Sequence, residues 1–194
     1  MKAREITVTA MLAATATVLM FFNFGVPFMP SFIKVDFSDL PALLAAFAFG
    51  PWHGVIVCLI KNLINLMFTS TGGIGELSNF LLGVLFVFPA GVVYRHKKNR
   101  MGAFIGSLIG AFTMAIVGIF TNYYIVYPVY TSFMPLETIV KLYQAINPYV
   151  TDLWTALIYM NFPFTLGKGI LNVALAFLVY KHLSPIFHGR KGSS

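Results

Sequence analysis

Six apolar stretches, separated by polar or turn-forming residues, organise the sequence. They cover about 6–27, 40–50, 51–69, 76–95, 101–127 and 156–181. A helix that crosses a membrane needs about 20 mostly apolar residues, and the longer runs meet that length. The first begins at Ile6 behind Lys2 and Arg4, the charge order of a secretory signal. Its apolar core outlasts the roughly 7–15 residues of a signal peptide, so it predicts a retained helix. Gly50-Pro51 divides the second run from the third, because proline disfavours a helical residue before it and opens a new helix well. Ser70-Thr-Gly-Gly-Ile-Gly75 reads as a loop. Between the fifth and sixth runs, Leu136, Ile139, Val140, Tyr143 and Ile146 recur at helical spacing, with Glu137, Lys141 and Gln144 opposite. That pattern predicts a short external amphipathic helix. The expectation is an all-α integral membrane protein, a single transmembrane domain over 1–194 with six transmembrane helices.

Composition removes the soluble alternative. Charged residues are 10% of the 194 and hydrophobic ones 58%, against about 25% charged in an average globular protein. The mean hydropathy of +0.82 agrees. Six spans leave no room within these residues for a soluble ATPase or DNA-binding domain of about 100 residues. The single cysteine, Cys58, lies in an apolar run and has no disulfide partner in the chain.

The net charge of +7 is a matter of distribution. Lys2, Arg4, Arg95, Lys97, Lys98, Arg100, Lys181, Arg190 and Lys191 fall on one face of a six-span chain. Only Lys34, Lys61, Lys141 and Lys168 fall on the other face or within spans. By the positive-inside rule both termini and the Arg95–Arg100 loop are cytoplasmic. Asp36, Asp39, Glu76, Glu137 and Asp152 sort to the opposite side. The basic excess therefore implies anionic lipid and orientation, not nucleic acid.

Catalytic and metal motifs are missing. His53, His96, His182 and His188 lack ligand spacing, and neither a Walker A sequence nor Gly-x-Ser-x-Gly nor His-Glu-x-x-His occurs. No catalytic residue and no metal site are expected. Polar residues gather instead near the outer helix ends. Lys168 lies well inside the last span, where a lysine costs about 2.5–3.5 kcal/mol and commonly faces a cavity or a partner. The alternatives are snorkelling, or a structural ion pair with Asp36 or Asp39. Thr165 shares its face. Asn122 offers a donor and an acceptor, either to a ligand or to a neighbouring helix. Asn79 is balanced between the same readings. Cys58, Lys61, Asn62 and Asn65 form one stripe that faces the bundle interior, with Lys61 neutralised by a carboxylate from the external side. On the first helix Thr7, Ala10, Ala14 and Thr17 form a ridge of small side chains that permits close helix approach, within the bundle or to a partner.

These residues resemble the substrate-binding (S) component of an energy-coupling-factor (ECF) vitamin transporter of the riboflavin type. The resemblance is carried by Ala10-x-x-x-Ala14, by Lys34-Val-Asp-Phe-Ser-Asp-Leu-Pro41, by Gly50-Pro-Trp-His-Gly54 running into Lys61-Asn-Leu-Ile-Asn65, and by Asn122-Tyr-Tyr with Lys168. It covers nearly the whole chain. It implies a high-affinity flavin receptor of a prokaryotic cell membrane with no catalysis and no catalytic cofactor. Riboflavin is then the transported ligand, and uptake depends on the transmembrane coupling protein EcfT and two cytoplasmic ATPases. The ligand residues it implies are Asp36, Phe37 and Asp39 in the first external loop, with Asn79, Asn122, Tyr123, Phe164, Thr165 and Lys168. The docking face it implies is the ridge of Thr7, Ala10, Ala14 and Thr17. The competing readings are an S component for another vitamin, a small membrane-embedded enzyme and a channel.

Overall fold

The structure is a computed structural model that describes residues 3–187, with side chains through Val179. Lys2, Arg190 and Lys191, placed above on the cytoplasmic face, lie outside the described residues, as do His188 and the side chains of Lys181 and His182.

The described chain is mostly helical. Its elements are α1 (Ala3–Phe21), α2 (Asp39–Phe49), α3 (Pro51–Asn65), α4 (Ile74–His96), α5 (Arg100–Thr121), α6 (Tyr127–Tyr130), α7 (Leu136–Gln144), α8 (Leu153–Ala156) and α9 (Phe162–Phe187). A two-residue hairpin, β1 (Phe24–Gly25) with β2 (Lys34–Val35), pairs antiparallel in the loop before α2. By length and composition five helical stretches can cross a membrane: Ala3–Phe21, Pro51–Phe68, Ile74–His96, Arg100–Tyr130 and Leu153–Val179.

The second apolar run behaves differently. Helix α2 has 11 residues, about 16 Å at 1.5 Å per residue, roughly half of a bilayer's hydrocarbon thickness. It is apolar on all sides, and eight of its residues are buried. Ala42, Leu43, Ala45 and Ala46 pack with Val57, Phe86, Val87 and Ala90 in the main core. A helix of that pattern belongs inside a bundle, and α1, α3, α4 and α9 surround it. Gly50 has φ +110°, a left-handed backbone that allows the sharp corner into α3. Close packing follows from small side chains. A Cβ on Gly54 would stand 2.8 Å from the Ala42 carbonyl, and one on Gly106 would stand 2.7 Å from that of Ala90.

The bundle has two chemically distinct ends. At one, Glu5 at the start of α1, the Gly50-Pro51 corner, Arg95 in the last turn of α4 and Lys98 just after it line a common cavity. The Arg100 guanidinium lies 4.3 Å from the ring centre of Phe177 in the distal half of α9. At the other end lie the end of α1, the hairpin loop, the α3–α4 connection and the first turns of the last long helix.

Both late helices are interrupted at this second end by a single π-turn, at Asn122–Val126 and at Leu157–Asn161. Each π-turn stops two residues before a proline, Pro128 and Pro163. Proline cannot donate to the carbonyl four residues back and its ring crowds that carbonyl. The helix accommodates this by widening one turn, with Tyr127 donating to the Asn122 carbonyl and Phe162 to that of Leu157. Helix α7 occupies the connection between these helices. Its Ile139 and Tyr143 are fully buried against Tyr127, Val150, Leu153 and Leu157.

Candidate ligand-binding site

The centre of the second end is a buried group of four charges. Asp39 opens α2, and its Oδ1 lies 2.6 Å from Lys61 Nζ. Its Oδ2 lies 3.1 Å from Lys168 Nζ. Lys61 also donates to Ser38 Oγ at 2.5 Å. The Ser38 backbone N–H donates to Asp36 Oδ1 at 2.8 Å, and its hydroxyl is bonded to the same oxygen. Asp36 Oδ2 lies 3.4 Å from Lys168 Nζ and accepts a hydrogen bond from Asn79 Nδ2 at 3.3 Å. Two ammonium groups thus face two carboxylates. Pairing of this kind is the condition for tolerating charge away from water. Asp36 shows the balance: burial pushes its carboxyl up, but the Lys168 and Lys61 charges outweigh burial and hold it below its ordinary 3.8.

The stripe on α3 faces inward as its spacing requires, with Cys58, Lys61 and Asn62 buried and Asn65 half-buried. Asn62 donates to the Cys58 carbonyl at 2.8 Å and to Asn79 Oδ1 at 3.4 Å. Asn65 and Thr69 both donate to Glu76, at 3.0 and 2.8 Å. This second set ties the end of α3 to the first turn of α4.

The two lysines differ in access. Lys61 is 0% exposed, whereas Lys168 is 10% exposed and lines a cavity. Leu82, Met114, Val126 and Phe164 form apolar walls, and Ser78, Asn79, Asn122, Asn161, Thr165 and Lys168 bring polar atoms to it. Ser78 donates to Asn122 Oδ1 at 3.3 Å. Phe32, Lys34, Tyr127 and Tyr130 complete the rim. An adjoining cavity shares Phe32, Lys34 and Asn79 and reaches Asp36, Asn65 and Glu76.

A third polar group holds α7 to this wall. The Tyr127 and Tyr143 hydroxyls are 2.5 Å apart, and Asn161 Nδ2 donates to both at 3.3 Å. Burial pushes the Tyr143 phenol well above its ordinary 10, so its hydroxyl stays neutral.

Of the residues singled out from sequence, Lys168, Asn122, Thr165, Asn79 and Phe164 line the main cavity. Asp36 lines the adjoining one, and Asp39 stands behind Lys168 as its ion-pair partner. Phe37 packs against Phe24 with ring centres 6.1 Å apart. Tyr123 packs edge-on against Tyr124 and Trp154. Neither lines the cavity. Ser78, Asn161, Tyr127 and Tyr130 were not singled out, yet all four line it. Asn161, Thr165 and Lys168 fall at i, i+4 and i+7, one helix face in the sequence itself. On α1, Thr7, Ala10 and Ala14 are exposed, but Thr17 is buried and donates to the Ala13 carbonyl at 2.9 Å. The small residues of α1 thus serve two faces, and Thr17 belongs to the inner one.

The described residues thus form a bundle of apolar helices with a partly polar, half-open cavity at one end. The family model for the ECF transporter substrate-specific component matches residues 4–180, and the chain belongs to that family. It is a family of transporter components, not of enzymes. The chain is 35% identical over 181 residues to the riboflavin transporter RibU of Staphylococcus aureus (strain TCH60), covering 93% of this chain and 90% of that one. It is 32% identical over 190 residues to the riboflavin transporter FmnP of Bacillus subtilis (strain 168), covering 95% and 94%. A solved structure of the S component of a bacterial ECF transporter superposes with a TM-score of 0.75 at 32% identity, covering 94% of this chain and 96% of that one.

Proposed function

We propose that this chain is the riboflavin-binding S component of an ECF-type transporter in a prokaryotic cell membrane. The observation that carries the reading is the near full-length similarity to two proteins named as riboflavin transporters. The cavity supports it physically. An isoalloxazine ring is a flat apolar body with polar edges, and it needs an apolar slot with a few placed donors and acceptors. Leu82, Met114, Val126 and Phe164 offer the slot, and Lys168, Asn122, Asn161 and Thr165 the edge contacts. Asp36, Asp39 and Asn79 hold Lys168 in place or meet the ribityl hydroxyls.

The described cations Arg4, Arg95, Lys97, Lys98 and Arg100 favour a cytoplasmic position for the basic end. The ligand cavity and α7 then face outward, and the short α2 serves as the remaining one of the six crossings. In this arrangement the exposed small residues Thr7, Ala10 and Ala14 form the docking face for a transmembrane coupling protein. Energy is then supplied by two cytoplasmic ATPases of the same transporter.

The test is the absorbance spectrum of the protein purified in detergent from cells grown with riboflavin. A stoichiometric flavin band that survives gel filtration supports the reading. A colourless protein that also fails to take up added riboflavin overturns it.

A further inference from the structure

We propose that Lys61, which never reaches the cavity, is a positioning residue for ligand binding: it occupies Asp39 so that Lys168 stays directed at the ligand. The inference rests on the reading of Lys168 as a ligand contact. Its basis is how the charges are shared. Asp39 presents one oxygen to each lysine, 2.6 Å to Lys61 and 3.1 Å to Lys168. Lys61 is fully buried, lines neither ligand-side cavity, and makes its shortest contacts with Ser38 and Asp39. Through Ser38 it also fixes Asp36, whose other oxygen is 3.4 Å from Lys168.

Without the Lys61 charge, two carboxylates share one ammonium in a buried site. Their attraction draws Lys168 back from the cavity, and the site carries an uncompensated negative charge. Two changes restore balance: a proton taken up by either carboxylate, or removal of the Asp39 charge. The other groups packed on this network are the Cys58 thiol, which with Asp39 Oδ1 closes over Gly83, and the neutral amides of Asn62 and Asn79. The next charges are Lys34 at the rim and Glu76, which Asn65 and Thr69 hold. None of these supplies the missing cation at Asp39.

The experiment compares riboflavin affinity, by fluorescence titration of detergent-purified protein at about pH 5 and pH 8, for wild type, Lys61→Met and Lys61→Met with Asp39→Asn. Wild-type binding at both pH values establishes the reading on which the comparison depends, so its absence fails that reading and not the role of Lys61. The single variant is expected to bind at least tenfold more weakly at pH 8 and to regain affinity at pH 5. The charge-balanced double variant is expected to bind at least threefold more tightly than the single variant at pH 8 and to lose the single variant's gain between pH 8 and pH 5. A single variant with wild-type affinity overturns the proposal. So does a weakened one whose pH profile parallels wild type and which the second substitution does not rescue, because that pattern marks lost packing alone. Should the single variant fail to fold, the double variant decides: binding supports the proposal, and failure to bind overturns it.

Discussion

The Asp39 carboxylate and the Lys168 ammonium stand 3.1 Å apart, joining the first turn of α2 to the last long helix. With Lys61 at 2.6 Å from the other oxygen, one carboxylate links three helices at the closed side of the cavity. Asp39→Ala leaves Lys61 without a carboxylate partner and Lys168 with Asp36 alone. Removing one partner of a buried pair commonly costs about 3–5 kcal/mol, so this variant should lose stability on that scale as well as ligand binding. Thermal unfolding in detergent checks it. An unchanged melting temperature would show that the pairing carries no stability.

Asp36 sets a pH dependence of known sign. Its folded carboxyl lies below its ordinary 3.8, so the folded state favours the charged form more than the unfolded state does. The stability it contributes is complete above about pH 4 and is lost as pH falls through the lower folded value. The gap in melting temperature between wild type and Asp36→Asn should be constant from about pH 5 to 7 and close below about pH 4. A gap that widens on acidification would contradict the charge network around Asp36.

Tyr143 tethers α7 to the cavity wall through Tyr127 and Asn161. Tyr143→Phe keeps the ring and removes those hydrogen bonds, each worth about 0.5–1.5 kcal/mol net. Flavin release, followed by stopped-flow fluorescence, should accelerate by about two- to tenfold with little change in the association rate. Unaltered release would leave α7 as covering material without a role in retention.

The exposed ridge of α1 separates binding from transport. Replacing Ala10 and Ala14 by tryptophan blocks close helix approach in lipid on a face that points away from the bundle. Riboflavin binding by the isolated chain should persist, while copurification with the coupling protein and cellular uptake collapse. Loss of binding itself would place the ridge inside the bundle's own packing.

The helical runs were legible because apolar length and punctuation by Gly50, Pro51 and Gly72-Gly73 are local features. So was the inward placement of Lys168, since a lysine deep in an apolar run has few explanations. The burial of Asp36 and Asp39 was not, because a polar loop reads as solvated until α2 and the hairpin fold it inward. The short reach of α2 is a related case: an apolar run states that a segment is buried, not what buries it. Asn161 and Tyr127 line the cavity beside π-turns that no 3.6-residue pattern anticipates. Phe37 and Tyr123 show the converse limit, since aromatic type alone does not separate a ligand wall from ring packing against Phe24 or Trp154.

The most direct measurement is a riboflavin titration of the purified chain beside its Lys168→Met variant, with both shown to be folded. The account predicts one saturable site per chain and at least tenfold weaker binding by the variant, a loss of about 1.4 kcal/mol or more. Equal affinity in the two proteins would reduce Lys168 to a purely structural ion pair and contradict the site described here.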